Sequence, residues 1–199
     1  MHPTSKARRT VYQLKITLKE IEPPIWRQIL VPQDITFYKL HKIIQAAFGW
    51  LDYHLFEFRF DDVVVHIPDP EYAPDELHGG IKELNAKRTK IDDLFVERKK
   101  CIYTYDFGDN WEHEVVLEKI LPAEEGQHYP LCIAGARHRP PEDVGGVPGY
   151  EEFLEIIRDP QHPEYNDYLV WAEKDTGGRK FDPEYFYINE VNRKLAKIK

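Results

Sequence analysis

The chain has 199 residues, 42% of them hydrophobic and 31% charged, a balance that suits a folded globular protein and excludes a disordered one. Its formal net charge of −8 opposes indiscriminate binding to phosphate backbones, and the charge is uneven: from Glu142 to Glu190 thirteen acids face four bases, whereas from Lys82 to Lys100 seven bases face four acids. Only Cys101 and Cys132 are present, far apart and in no C-x-x-C arrangement, which argues against a disulfide scaffold or zinc ribbon and for reduced thiols in the cytoplasm.

The start, MHPTSKARRT, reads as a basic flexible tail over residues 1–10, and residues 11–199 as a single α+β domain. The tail lacks a signal-peptide core, and no apolar run approaches membrane length, so no membrane association is expected. Tyr12, Leu14, Ile16 and Leu18 alternate with polar residues, the period of a strand with one buried face. Pro23 and Pro24 break the run, and Ile25 to Val31 resumes as a second strand. Thr36 predicts the cap of a helix through Phe48, with Phe37, Leu40, Ile44, Ala47 and Phe48 on one face and Gly49 ending it. His54 to Phe60 and Val63 to Ile67 read as two further strands.

Pro68 to Arg88, rich in Pro and Gly, predicts a long surface loop, and Ile91 to Phe95 a short helical turn. Cys101 to Phe107 and Trp111 to Leu121 form a hairpin around Gly108-Asp109-Asn110. Pro122 to Pro148 is expected to be irregular. Helices close the chain at Tyr150 to Ile157, Tyr165 to Ala172 and Glu184 to Ala196, the last capped by Asp182. The expected architecture is an antiparallel or mixed β-sheet, built from the N-terminal strand pair and two hairpins, with helices packed on one face. Phe, Tyr and Trp, 13% of the chain, are assigned to the core, the four tryptophans acting as anchors of separate elements.

Several stretches in this order resemble the plasmid pRi ORF-three-like family, whose members occur on plasmids, in bacterial and archaeal genomes and as passengers of insertion elements. They are YQLKITLKEIEPPIWRQILVP from Tyr12, LHKIIQAAFGW from Leu40 with HLFEF after it, and YDFGDNWEHEVVLEKI from Tyr105. The loop through Cys132, Gly135 and Arg137, then PPEDVGGVPGYEEFL and FDPE, complete the set. The resemblance implies a compact α+β fold and an association with mobile DNA, and it brings no established catalysis. Some members carry a resolvase-like label, yet neither a serine- nor a tyrosine-recombinase pattern stands in this sequence.

Candidate binding residues are Asp106, Asp109, His113, Cys132 and Arg137. Asp106, Asp109 and His113 sit around one hairpin tip, where oxygen and imidazole ligands suit Mg²⁺, Mn²⁺ or Zn²⁺; His54 or His66 would complete such a site, with Glu112 or Glu114 as base. Against this, Asp109-Asn110 can simply make the turn, with Asp106 bonded to its backbone and His113 packed beside Trp111. Arg137 is a candidate anion fork or, by pairing with Asp106, Glu142 or Asp143, a pin for its loop. Cys132 would be a nucleophile only beside a histidine such as His113 or His138, and otherwise a buried structural thiol. Lys82, Lys87, Arg88, Lys90, Arg98, Lys99 and Lys100 form the best patch for DNA. No cofactor motif is present, a divalent metal aside. The default expectation is a binding or accessory protein with a protein partner or DNA; the alternatives are a metal-assisted hydrolase or nuclease and a DNA-binding accessory factor.

Overall fold

The computed structural model describes residues 9–68 and 81–198. Thr10–Leu18 (β1) and Trp26–Pro32 (β2) pair antiparallel, setting Leu14 opposite Ile29 and Ile16 opposite Arg27. Phe56–Arg59 (β3) and Val63–His66 (β4) form the next pair, and Lys100–Tyr105 (β6) with Trp111–Pro122 (β7) the long hairpin. Lys82–Asn85 (β5) and Leu131–Ala136 (β8) are the two edges of one eight-stranded sheet, ordered β5-β4-β3-β6-β7-β1-β2-β8. Among the described residues only β4 and β5 run parallel, so the sheet is mixed and the fold is α+β.

The edges correct two expectations. Part of Pro68 to Arg88 is strand β5, and the rest of that stretch from residue 69 to 80 lies outside the described residues. Its sequence, KELN, has a single apolar residue, too little for a periodic signal. Likewise β8 lies inside the stretch expected to be irregular, because LCIAGA carries small residues in place of alternation. Its Gly135 has a packing reason: a Cβ there would fall 2.7 Å from the Phe186 ring and 2.9 Å from Cδ of Arg27.

Phe37–Phe48 (α1) follows its sequence signals closely. Thr36 Oγ1 accepts from the Lys39 amide at 3.2 Å, and Gly49, at φ 88°, donates its N–H to the Gln45 carbonyl. The apolar stripe of α1 is buried, and Phe37 meets Phe58, Phe60 and Phe95 with ring centroids 5.0 to 5.9 Å apart. Burying each such side chain stabilises the fold by about 1.5–3 kcal/mol. Trp50 and Trp111 are buried as expected, whereas Trp26 is half-buried beneath Lys15 and Trp171 is half-buried beside Phe153.

The remaining helices are Asp92–Arg98 (α2), Gly146–Arg158 (α3), Tyr165–Asp175 (α4) and Ile188–Leu195 (α5). Helix α3 starts four residues earlier than expected, and α5 starts at Ile188 with Tyr187 at its cap. Asp182 instead accepts from the Glu184 amide in a local turn. Among the described residues no helix is long and apolar enough to cross a membrane.

Candidate metal centre

The hairpin β6-β7 turns through residues 106–110, where Asp106 adopts φ 58°. Short polar side chains tolerate this left-handed backbone because they bond locally, and Asp106 Oδ1 accepts from the Gly108 amide at 2.9 Å. Its other oxygen, Oδ2, is free to point out of the turn, 3.6 Å from Nε2 of His54. His54 precedes β3, and the backbone there is tied to the turn because the Asp106 amide donates to the Leu55 carbonyl at 2.9 Å.

A second loop, Pro-Pro-Glu-Asp-Val-Gly-Gly ahead of α3, closes over the pair. Asp109 Oδ2 accepts from the Gly145 amide at 3.1 Å, and a Cβ on Gly146 would sit 2.8 Å from the Asp109 carbonyl. The loop thereby places Asp143 Oδ1 3.1 Å and Glu142 Oε2 4.0 Å from His54 Nε2. Ligand atoms of His54, Asp106 and Asp143 lie within 4.8 Å of one another. Adjacent ligands of a tetrahedral ion bonded at about 2.0–2.1 Å stand roughly 3.3 Å apart, close to the 3.1 and 3.6 Å that separate His54 Nε2 from Asp143 and Asp106.

Glu142 makes the cluster more than a group of surface acids. Its side chain is 5% exposed; Oε1 accepts from the Leu51 amide at 2.6 Å and from the Tyr105 hydroxyl at 3.3 Å. Among the described residues the buried Oε2 makes no hydrogen bond, and neither does His54 Nε2, although Asp143 stands beside it. Burial pushes the Glu142 carboxyl above its usual range, because desolvation disfavours its charged form. Asp143, 68% exposed and at φ 56°, marks the side open to solvent. His54, Asp106 and Asp143 are the residues whose ligand atoms could share one ion, with Glu142 Oε2 at the margin 4.0 Å from His54 Nε2; an imidazole with carboxylates suits Mn²⁺, Zn²⁺ or a similar divalent ion.

The expected residues divide accordingly. Asp106 is a member of the cluster, and Asp109 fastens the loop that carries two others. His113 is elsewhere: fully buried, its Nδ1 faces the carbonyls of Trp111 (3.0 Å) and Tyr103 (3.3 Å), while Nε2 accepts from the Trp50 indole at 3.3 Å. Burial pushes its pKa down to about 4, so it is a neutral, satisfied core residue. His54 supplies the imidazole instead, whereas His66 is 2.9 Å from Glu83 across the sheet edge. Glu112 is paired with Lys19 at 2.5 Å.

Cys132 lies on β8, buried, its thiol donating to the Ala134 carbonyl at 3.3 Å and its pKa raised by burial. Its backbone is clasped by Asn192 of α5 at 2.8 and 3.0 Å, which gives it a docking role and no nucleophilic one. Arg137 does pin its loop, although not through Asp106, Glu142 or Asp143: Nε donates to Glu184 at 2.8 Å and Nη1 to the Pro23 carbonyl. In the proposed DNA patch, Arg98 is held bidentately by Asp62 at 3.0 and 2.8 Å. Glu142 and Asp143 are the members of the cluster with the faintest sequence signal, an acid pair set between a proline pair and a glycine pair.

Fold and cluster together define an α+β protein on one mixed eight-stranded sheet, with a histidine and three carboxylates gathered at a hairpin tip. The chain belongs to the plasmid pRiA4b ORF-3-like protein family, whose model matches residues 10–190. It is 36% identical over 186 residues to the uncharacterized protein y4hQ of Sinorhizobium fredii, covering 92% of this chain and 90% of that one. It is also similar to the crystal structure of MM3350 from Methanosarcina mazei Go1, a protein of unknown function, at 44% identity and a TM-score of 0.80, covering 93% of this chain and 99% of the other. Its link to mobile elements is carried by the family name alone, and no catalytic function is established for these relatives.

Proposed function

We propose that this chain binds one divalent transition-metal ion through His54, Asp106, Glu142 and Asp143, and that its chemistry is metal-assisted hydrolysis. The reading rests on one observation: His54 Nε2, which makes no hydrogen bond among the described residues, faces carboxylate oxygens of Asp143, Asp106 and Glu142 at 3.1, 3.6 and 4.0 Å, and the Glu142 oxygen among them is buried and likewise without a hydrogen bond. Buried polar atoms are almost always satisfied, and a cation among these groups would satisfy both. As metal ligands, an imidazole and the carboxylates of Asp106, Glu142 and Asp143 would supply up to three negative charges, which a divalent ion would offset in large part.

An ion held by His54, Asp106 and Glu142 would supply a Lewis acid able to acidify bound water toward neutral pH on the side where Asp143 is exposed. Asp143 is then placed either to complete the shell or to take a proton from that water. A cytoplasmic setting suits the chain, since Cys101 and Cys132 are free buried thiols that no disulfide chemistry requires.

Titration calorimetry of chelator-stripped protein with Mn²⁺ and Zn²⁺ tests the binding. One ion per chain is expected, with affinity lost in His54→Ala and reduced at least tenfold in Asp143→Asn. Absence of saturable binding in the folded wild-type chain overturns the proposal.

A further inference from the structure

We propose that a separate cavity, between the C-terminal end of α1, the turn after α4 and helix α5, binds a small oxyanion, the phosphate or carboxylate group of a soluble metabolite. The cavity measures about 360 Å³, within the size range of small-molecule sites. Five cations line it, Arg27, Arg139, Lys174, Arg179 and Lys194, against the carboxylates Asp175 and Glu190. In a chain of net charge −8 this is a local reversal of sign.

Both carboxylates are already engaged. Asp175 takes Arg139 at 2.9 and 3.1 Å together with the Glu142 amide at 3.2 Å. Glu190 accepts from the Tyr185 hydroxyl at 2.6 Å and lies 3.5 Å from Lys194. Arg27 has no carboxylate partner among the described residues, although it is 3% exposed. Four of its N–H groups donate to the carbonyls of Trp26, Ala47, Ala136 and Arg137 at 2.7–2.9 Å, and Phe48 and Phe186 flank its guanidinium. Its positive charge therefore stands buried and uncompensated, and burial pushes its pKa down to about 10.

Arg179 supplies the donor. Gly177 and Gly178, at φ 72° and 90°, make the turn that returns Arg179 over the Tyr185 ring, with its Cζ 3.6 Å from the centroid. His138 Nδ1 is satisfied by the Arg139 carbonyl at 2.7 Å, which leaves Nε2 to accept from Arg179 Nη2 at 3.4 Å. The guanidinium is thus fixed in place, yet its Nη1 is buried and makes no hydrogen bond among the described residues. A rigid fork with a spare donor, beside an unpaired buried arginine and Lys174, is what an oxyanion requires.

The test is titration of the full chain with inorganic phosphate and, separately, succinate, at ionic strength held constant with chloride. Saturable binding of either is expected, and which of the two binds tells a phosphorylated ligand from a carboxylated one. Arg179→Gln should weaken it at least tenfold and Lys174→Gln severalfold, while Lys15→Gln and the metal-site variant His54→Ala leave it unchanged. No saturable binding of either probe, equal affinity in Arg179→Gln and wild type, or loss in His54→Ala alone, which would place the anion at the metal centre, overturns the proposal.

Discussion

Asp109 Oδ2 accepts from the backbone amide of Gly145 at 3.1 Å, a side-chain bond that ties the β6-β7 turn to the loop bearing Glu142 and Asp143. Asp109 is therefore a positioning residue for the cluster without being one of its ligands. Asp109→Ala should lower Mn²⁺ affinity about 10–100-fold, the usual cost of losing an outer support of a metal site. Asp109→Asn retains an acceptor oxygen and should recover most of the loss. Calorimetry on the two variants checks this, and equal affinities would contradict it.

Gly149 is a second support, of a different kind. A Cβ at this position would fall 2.0 Å from the Val144 carbonyl, a backbone atom of the same loop. Gly149→Ala should displace the loop and destabilise the chain by about 1–3 kcal/mol, as overpacking does. Thermal unfolding together with metal titration would then report a lower Tm and weaker metal binding at once.

Three imidazoles, two buried and one half-buried, make stability depend on pH. His113 is held near a pKa of about 4 by burial, with the Arg27 charge acting in the same direction. His41, stacked on Phe56, is also lowered to about 4 by burial, Asp52 opposing, and His138 to about 3. In the unfolded chain each titrates near 6.5, so between the two values the unfolded state binds more protons. Their contribution is complete above about pH 6.5 and is lost as pH falls through about 4, on the order of a few kcal/mol for each. Tm measured from pH 7 to 4.5 should fall, and less steeply in His113→Gln than in wild type. Parallel curves would count against a neutral, buried His113.

The aromatic core supplies a test of the fold. Phe58 is fully buried, with the rings of Tyr103 and Phe37 centred 4.8 and 5.0 Å away. Phe58→Ala should cost about 3–5 kcal/mol. A shifted urea midpoint at unchanged slope is the expected signature.

The strongly periodic elements were readable in the sequence. Helix α1, the β1-β2 pair and the β6-β7 hairpin each carry a full apolar repeat, and α1 also has its Thr36 and Gly49 signals. The two edge strands were not readable, because KELN and LCIAGA gain their structure from a neighbouring strand and carry little pattern of their own. The candidate site was half legible. Asp106 and His54 were within view, but alternation along β7 cannot say which face His113 takes, and that face is the core. Glu142 and Asp143 lie 36 and 37 residues beyond Asp106 in the chain, and tertiary bonds bring them back to it, Asp109 to the Gly145 amide and Glu142 to the Tyr105 hydroxyl.

The most direct measurement is anomalous scattering from a crystal soaked in Mn²⁺. One peak is predicted, roughly 2.0–2.3 Å from His54 Nε2 and from the nearest oxygens of Asp106 and Glu142. A crystal of the folded, Mn²⁺-soaked chain with no density among these residues would contradict the assignment.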